Sequence, residues 1–389
     1  FALIMGIFVK NVNSSMGFCL TILKVVGFLT PHQTGGIIIA QTCAMFQIWG
    51  DIALMTSASF LLFTNLAFAM KIINVVVRRR EIQDIVNEAD DELTAEDRVK
   101  GIEILKSMYL YILLSGVTVF GWAASAEKNQ LPLRAWYPYD TSKSPAYELT
   151  YANQVMTIAA VVNICLDTLV TSLIAVCRCR LRLVGLSLRT LCEGIQFSEK
   201  HLLSPEDDKT VYSRLQQCVM KHEAALKTVR QIQECFSYPI LAQFTVSVVI
   251  ICVTAYQLAI ELNNRNWMRC IPMVSYLLCM TLQVFLYCYQ GNQLSEESSE
   301  IAGAAYECPW YKCSLRVRRA LLIVMVRTRR SLILTAGGFT TLSLACFTSV
   351  SFIYSVCSKI LCWASWRRRG GGESSIVYLR SSSSDLHQI

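Results

Sequence analysis

The chain has 389 residues, 53% hydrophobic and 16% charged, with a formal net charge of +8 and a mean hydropathy of +0.41. A water-soluble domain carries about 25% charged residues, so the polar surface here is too small for a soluble globule and the chain reads as an all-α, multi-pass membrane protein. The basic residues flank apolar runs, which argues against a nucleic-acid partner, and no GxGxxG, phosphate loop, GxSxG or HExxH pattern points to an enzyme, cofactor or metal.

The first residue is Phe1, so the start is expected to lie upstream, and no signal-peptide pattern follows it. Residues 1–33 read as a cytoplasmic N-terminal segment with a glycosylation sequon at Asn13-Ser14-Ser15. Between residues 34 and 357, seven apolar runs predict transmembrane helices: Thr34–Trp49, Ile52–Val77, Ser107–Ala126, Gln154–Val176, Tyr238–Leu262, Met268–Tyr289 and Ser331–Cys357. The first is short for a span. Lys and Arg collect in cytoplasmic loops; the loops after the second, fourth and sixth runs hold 23 of them, against five in the loops after the first, third and fifth. The N-terminus is therefore expected inside and the end of the seventh span outside, the reverse of a G-protein-coupled receptor.

The outer loop Glu127–Asn153 combines three prolines with Trp136, Tyr137, Tyr139, Tyr147 and Tyr151. It reads either as an interfacial aromatic belt or as a lid over a cavity between spans. Within the fourth run Asp167 is a costly charge and predicts a partner on another helix; Glu261 is the other ionisable residue that the runs call to notice.

The inner segments 178–236 and 290–330 read as an intracellular anchor. Ser204-Pro205-Glu206-Asp207 predicts a helix start. Val211, Leu215, Cys218, His222, Ala225, Val229, Ile232 and Phe236 follow at helical spacing, running towards the fifth span with Pro239 as a kink or boundary. On this stripe His222 reads as a packed residue rather than a ligand or proton carrier. The polar stretch Cys288–Tyr311 carries four glutamates, of which Glu296, Glu297 and Glu300 are expected near the basic run Arg316–Arg330. Most of the 17 cysteines, such as Cys165, Cys252, Cys279 and Cys346, lie in apolar runs as small hydrophobes. The tail 358–389, with Arg367-Arg368-Arg369 and Gly/Ser-rich stretches, reads as low-complexity.

The stretch FLYCYQGNQLSEESSEIAGAAYECPWYKCS, followed by RRALLIVMVRTRRSLILTAGGFTTLSLACFTSV, resembles the insect odorant receptors. The residues that carry the resemblance are Cys288, Tyr289, Gly291, Leu294, Glu297 and Ser298, then Ala305, Tyr306, Trp310 and Tyr311. Leu334 to Gly337, Phe339, Leu342 to Leu344 and Phe347 continue it. Trp136 to Gln154 and Leu23-Lys24-Val25-Val26-Gly27 are similar to the family as well, so the likeness covers about residues 20–356. Ser351–Leu361 fits the family's closing segment loosely, with Lys359 in an unexpected place and 28 residues beyond Leu361.

The resemblance implies seven spans with a cytoplasmic N-terminus and a ligand-gated, non-selective cation channel. It implies a heterotetramer with the odorant receptor co-receptor, in the plasma membrane of olfactory sensory neuron dendrites, and no cofactor. The pore would be lined by the seventh span, with Ser355, Ser358 and Ile360. A small volatile odorant would bind in the outer half of the bundle, for which Phe60, Phe63, Phe120, Trp122, Met156, Met273 and Tyr276 are the candidates. Tyr306, Pro309 and Trp310 would anchor one subunit on the next. Gustatory receptors are relatives, but their Thr-Tyr…Gln-Phe signature is absent. A G-protein-coupled receptor would need the opposite topology, and a transporter or membrane enzyme would need more ionisable residues along its path.

Overall fold

In the computed structural model the described residues are 38–39, 41–43, 45–50, 52–90, 110–122, 124, 158–195, 204–263, 265, 267–352 and 359. Runs two to six are helical where described, and so is the first at residues 38–39, 41–43 and 45–47. Residues 1–33, the outer loop Glu127–Asn153 and the tail apart from residue 359 lie outside the described residues.

Helix α1, Ile52–Val77, is an apolar run interrupted by one charge, Lys71. At its inner end Arg78 pairs with Glu81 at 3.2 Å. Helix α2, Arg79–Asp90, then turns Ile82 and Ile85 into the core. Helix α3 spans Leu110–Trp122. Helix α4, Ile158–Arg189, has 32 residues, about 48 Å at 1.5 Å per residue. That exceeds a hydrocarbon core of roughly 30 Å, so its basic end continues beyond the membrane-spanning part.

Helix α5, Pro205–Asn263, is one continuous helix of 59 residues. Pro205 opens it, as the sequence predicts, and the stripe from Val211 to Phe236 is buried except at His222. Pro239 lies inside this helix rather than at a boundary. Bundled membrane helices tolerate such a proline because neighbouring helices re-satisfy the freed backbone groups. Helix α6, Trp267–Glu307, is also continuous, so the acidic stretch after Cys288 is a helical extension of the sixth span.

The chain then breaks at Pro309 and makes a short 3-10 turn, Trp310–Lys312. Ser314 caps helix α7, Leu315–Thr328, by accepting from the Val317 N–H. The inner ends of α4, α5 and α6 pack with α7 around Leu181, Leu188, Leu215, Ile301, Val317 and Leu321. Arg189 Nε meets Glu307 at 2.7 Å across this anchor.

The run Ser331–Cys357 is not helical from its start. Thr335–Ala336 (β1) and Thr340–Thr341 (β2) form a small antiparallel hairpin, and helix α8, described over residues 344–352, begins only after it. Gly337 and Gly338 turn the hairpin at φ 60° and 77°, backbone that glycine adopts without steric cost. The hairpin is held on α5, where the Gln233 amide donates to Thr335 O at 2.8 Å and Ser237 Oγ accepts from the Gly337 N–H at 2.9 Å.

Apolar residues also point outward along the spans, including Leu66, Met70, Ile73, Leu113, Val117, Ile271, Val274 and Leu278. Exposed apolar faces this continuous suit lipid contact. The 14 described cysteines are all free thiols.

Candidate functional site

In the outer half of the bundle Ile250 and Ile251 of α5 and Met280 of α6 form a small core. Phe63 of α1, Trp122 of α3 and Tyr276 of α6 pack against it. Three of the ligand candidates named from sequence thus converge from three helices. Tyr276 OH lies 2.5 Å from Thr64 Oγ1, so an aromatic wall carries one hydroxyl pair. Met273 is buried one turn before Tyr276, outside this group. Beside it, Gly121 lets α3 lie on Pro272, where a Cβ would come within 2.9 Å of the proline ring.

Phe120 is 72% exposed, on the outward stripe with Leu113 and Val117 at helical spacing, and is not brought to the cluster. The Phe60 side chain and the whole of Met156 lie outside the described residues, as do Ser355, Ser358 and Ile360.

Beneath the aromatic cluster lies a buried polar hub. Asp167, 5% exposed, receives Lys71 Nζ at 2.5 Å. The Tyr287 hydroxyl donates to the same carboxylate oxygen at 2.8 Å. Gln283 Nε2 and, at 3.4 Å, the Tyr111 hydroxyl donate to the other oxygen. Lys71 also donates to Asn163 Oδ1 at 2.9 Å. Gln283 in turn accepts from Gln243 Nε2 at 2.9 Å.

One carboxylate thereby ties α4 to α1, α3 and α6 directly and to α5 through Gln283. The expected partner of Asp167 is Lys71, which the sequence reading overlooked inside its own second span. Any lysine at that depth demands an anion, and that demand was the available signal. Removing one partner of a buried pair costs about 3–5 kcal/mol, because the other charge is stranded. Glu261 is placed differently, 3.8 Å from Arg269 near the outer ends of α5 and α6.

One turn below Tyr287, residues of the sixth span make a seat for the last helix. Gly291 lies against Leu342, Ser298 Oγ accepts from the Leu332 N–H at 3.2 Å, and Phe285 meets Phe347 edge to face at 5.3 Å. Cys288 and Leu294 are fully buried there.

In the anchor, Glu297 and Glu300 face Arg182 and Arg189 of α4 across a cavity of about 260 Å³, while Glu296 accepts from Asn292 and Gln293 of its own helix. The basic residues that line this cavity are Arg182 and Arg189, not members of the run Arg316–Arg330. Tyr306 is 66% exposed. Trp310 is half-buried against the chain's own core and stacks obliquely on Tyr306 at 6.2 Å, and Pro309 caps the turn that carries it. His222 lines a cavity of about 110 Å³ with Leu188, Ile301, Val324 and Arg327. Burial, and secondarily Arg327, hold its imidazole below the usual value.

The sequence matches the family model described as 7tm Odorant receptor over residues 51–353. It is 23% identical to Odorant receptor 2a of Drosophila melanogaster over 316 residues, covering 77% of this chain and 80% of that one. It is 30% identical to the Odorant receptor coreceptor of Aedes aegypti over 148 residues, 38% of this chain and 30% of that one. The fold superposes on the insect olfactory receptor OR5 from Machilis hrabei, solved in complex with eugenol, with a TM-score of 0.70 at 18% identity. That match covers 89% of this chain and 88% of the other.

Proposed function

The chain belongs to the insect odorant receptor family, and on that premise we propose that it is the odorant-binding subunit of a ligand-gated, non-selective cation channel. It is a multi-pass membrane receptor and not an enzyme. The observation that carries the proposal is the convergence of Phe63, Trp122 and Tyr276 on one apolar core with a hydroxyl pair at its edge. An uncharged volatile gains affinity mainly by burial, at roughly 25 cal/mol per Å² of apolar area. Aromatic walls supply that area, and a few placed polar groups supply orientation.

In this reading Phe63, Trp122, Met273 and Tyr276, with Phe60 and Met156, line the odorant site. Ser355, Ser358 and Ile360 line the pore. The subunit works beside the co-receptor in a heterotetramer, in the dendritic plasma membrane of olfactory sensory neurons. Tyr306, Pro309 and Trp310 face the neighbouring subunit, joined by Leu315, Leu322, Ile323 and Val326 on the exposed apolar face of α7. A face of that kind in the cytoplasm needs a cover.

The test is current from cells expressing the chain with and without the co-receptor, challenged with alkyl esters, aldehydes, alcohols and phenols such as eugenol. Odorant-evoked cation current is expected only with both chains. Current from this chain alone, or none with the partner at confirmed surface expression, refutes the reading.

A further inference from the structure

The Lys71–Asp167 pair occupies a particular place on α6. Tyr276, Gln283, Tyr287 and Gly291 fall at steps of seven, four and four residues, so they share one stripe of that helix. Tyr276 belongs to the aromatic cluster, Gln283 and Tyr287 hold Asp167, and Gly291 seats Leu342. The cluster and the hub are therefore about 10 Å apart along α6, and the seat is about 12 Å further on.

Both oxygens of Asp167 are occupied by groups from other helices, so the carboxylate is not offered to a ligand. A neutral volatile has no use for the ion pair. A core of apolar side chains would hold these helices together at least as well, so stability alone does not account for the charges. A charge pair differs from apolar packing in that it is satisfied in one register only. The hub also borders a cavity of about 20 Å³ lined by Lys71, Asn74, Pro239 and Tyr287. Pro239 removes one backbone donor from α5 at this level. Space and a weakened helix thus adjoin the lock.

We propose that Lys71 and Asp167 are positioning residues, a lock that fixes the register of α6 so that events at the aromatic cluster are felt at the seat of the last helix. The inference rests on the channel reading. It predicts that the pair sets the gating equilibrium and leaves ligand preference untouched.

The experiment measures concentration–response curves for the chain with its co-receptor, on the same panel of esters, aldehydes, alcohols and phenols, at surface densities matched by biotinylation. Four variants are compared with the parent: K71Q, D167N, the uncharged double K71Q/D167N and the exchanged double K71D/D167K. The single variants are expected to shift EC50 by roughly tenfold, within the range of ordinary coupling energies, in the same direction for every active odorant and with rank order unchanged. The exchanged double is expected to return towards the parent. If a single variant does not reach the surface, the uncharged double, which strands no charge, is expected to show the uniform shift. Parent-like EC50 values at matched density overturn the lock, and so does a change in rank order, which would make these residues part of the ligand site. Failure of every variant to reach the surface overturns it too, as the pair would then serve folding alone. A silent parent sinks the channel reading itself, a result distinct from all of these.

Discussion

Gly291 of α6 lies against Leu342 so closely that a Cβ on Gly291 would stand 2.5 Å from both the Leu342 Cβ and its carbonyl oxygen. Part of that contact is backbone, so no rotamer change relieves it. Gly291→Ala is expected to overpack the seat of the last helix at a cost of about 1–3 kcal/mol. Thermal melting of the detergent-solubilised protein, followed by size-exclusion fluorescence, checks this. An unchanged midpoint would mean that α8 moves away freely.

Gly337 presents two separable obstacles to a side chain. Its φ is 60°, where an L-residue loses roughly 1–2 kcal/mol, and a Cβ there would overlap the Leu241 side chain. Gly337→Ala is therefore expected to destabilise the hairpin on α5. Adding Leu241→Ala should recover the steric part and not the backbone part. A double-mutant cycle on the melting midpoint separates them; full recovery would remove the backbone contribution, and no recovery would remove the steric one.

His222 gives the anchor a pH dependence whose sign is fixed. Burial first, then Arg327, disfavour its protonated form in the folded state. The residues facing it are Val184 and Leu188 of α4, Cys218 and Val219 of its own helix, Ile301 of α6, and Ile323, Val324 and Arg327 of α7; Arg327 is the charge among them. The unfolded chain takes up the proton near pH 6.5 and the folded chain only at lower pH. The stability contribution is thus present above about 6.5 and lost as pH falls through that value towards the folded pKa. The melting midpoint of the parent should drop between about pH 7.5 and 5.5, and His222→Gln should flatten that drop. Parallel curves for the two proteins would assign the pH dependence elsewhere.

Much of this arrangement is legible in the amino-acid order, and the rest fails for physical reasons. Periodicity predicts the long α5 stripe from Val211 to Phe236 because a helix buried on one side must repeat its apolar residues. Charge predicts that Asp167 needs a partner. It does not name Lys71, 96 residues away, since one lysine barely lowers the hydropathy of the 26-residue α1. Averaging also hides the hairpin at Thr335–Thr341, whose apolar flanks read as the start of a span. Phe63, Trp122 and Tyr276 could be placed in the outer half by counting along their helices. Which face each presents could not be counted, and Phe120 turns outward for that reason.

The N-terminal segment is expected in the cytoplasm, from the 23-to-5 distribution of Lys and Arg between the two sets of loops. Asn13, in an intact sequon, should then never meet the glycosylation machinery. Endoglycosidase treatment of a membrane preparation should leave the mobility of the chain unchanged at that position. A glycan on Asn13 would invert the topology and the assignment of the outer half with it.

The Thr64–Tyr276 hydroxyl pair predicts how the odorant site discriminates. At 2.5 Å one hydroxyl donates and the other accepts, so an odorant oxygen meets a preoriented pair rather than two free rotors. Tyr276→Phe keeps the ring and removes its hydroxyl; Thr64→Val keeps the shape and removes the other. Each should weaken responses to oxygenated odorants by about 0.5–1.5 kcal/mol, the net worth of a hydrogen bond, which is roughly two- to twelvefold in EC50. Hydrocarbon odorants of similar size should lose little. The double variant should lose less than the sum of the two, because the hydroxyls act as one pair. Trp122→Ala removes a wall of the same cluster and should shift tuning towards bulkier ligands while leaving surface expression intact. Concentration–response curves over the panel, at matched surface density, decide the matter. Uniform losses across polar and apolar odorants would show that these side chains only pack the bundle, and that the odorant is bound by other residues.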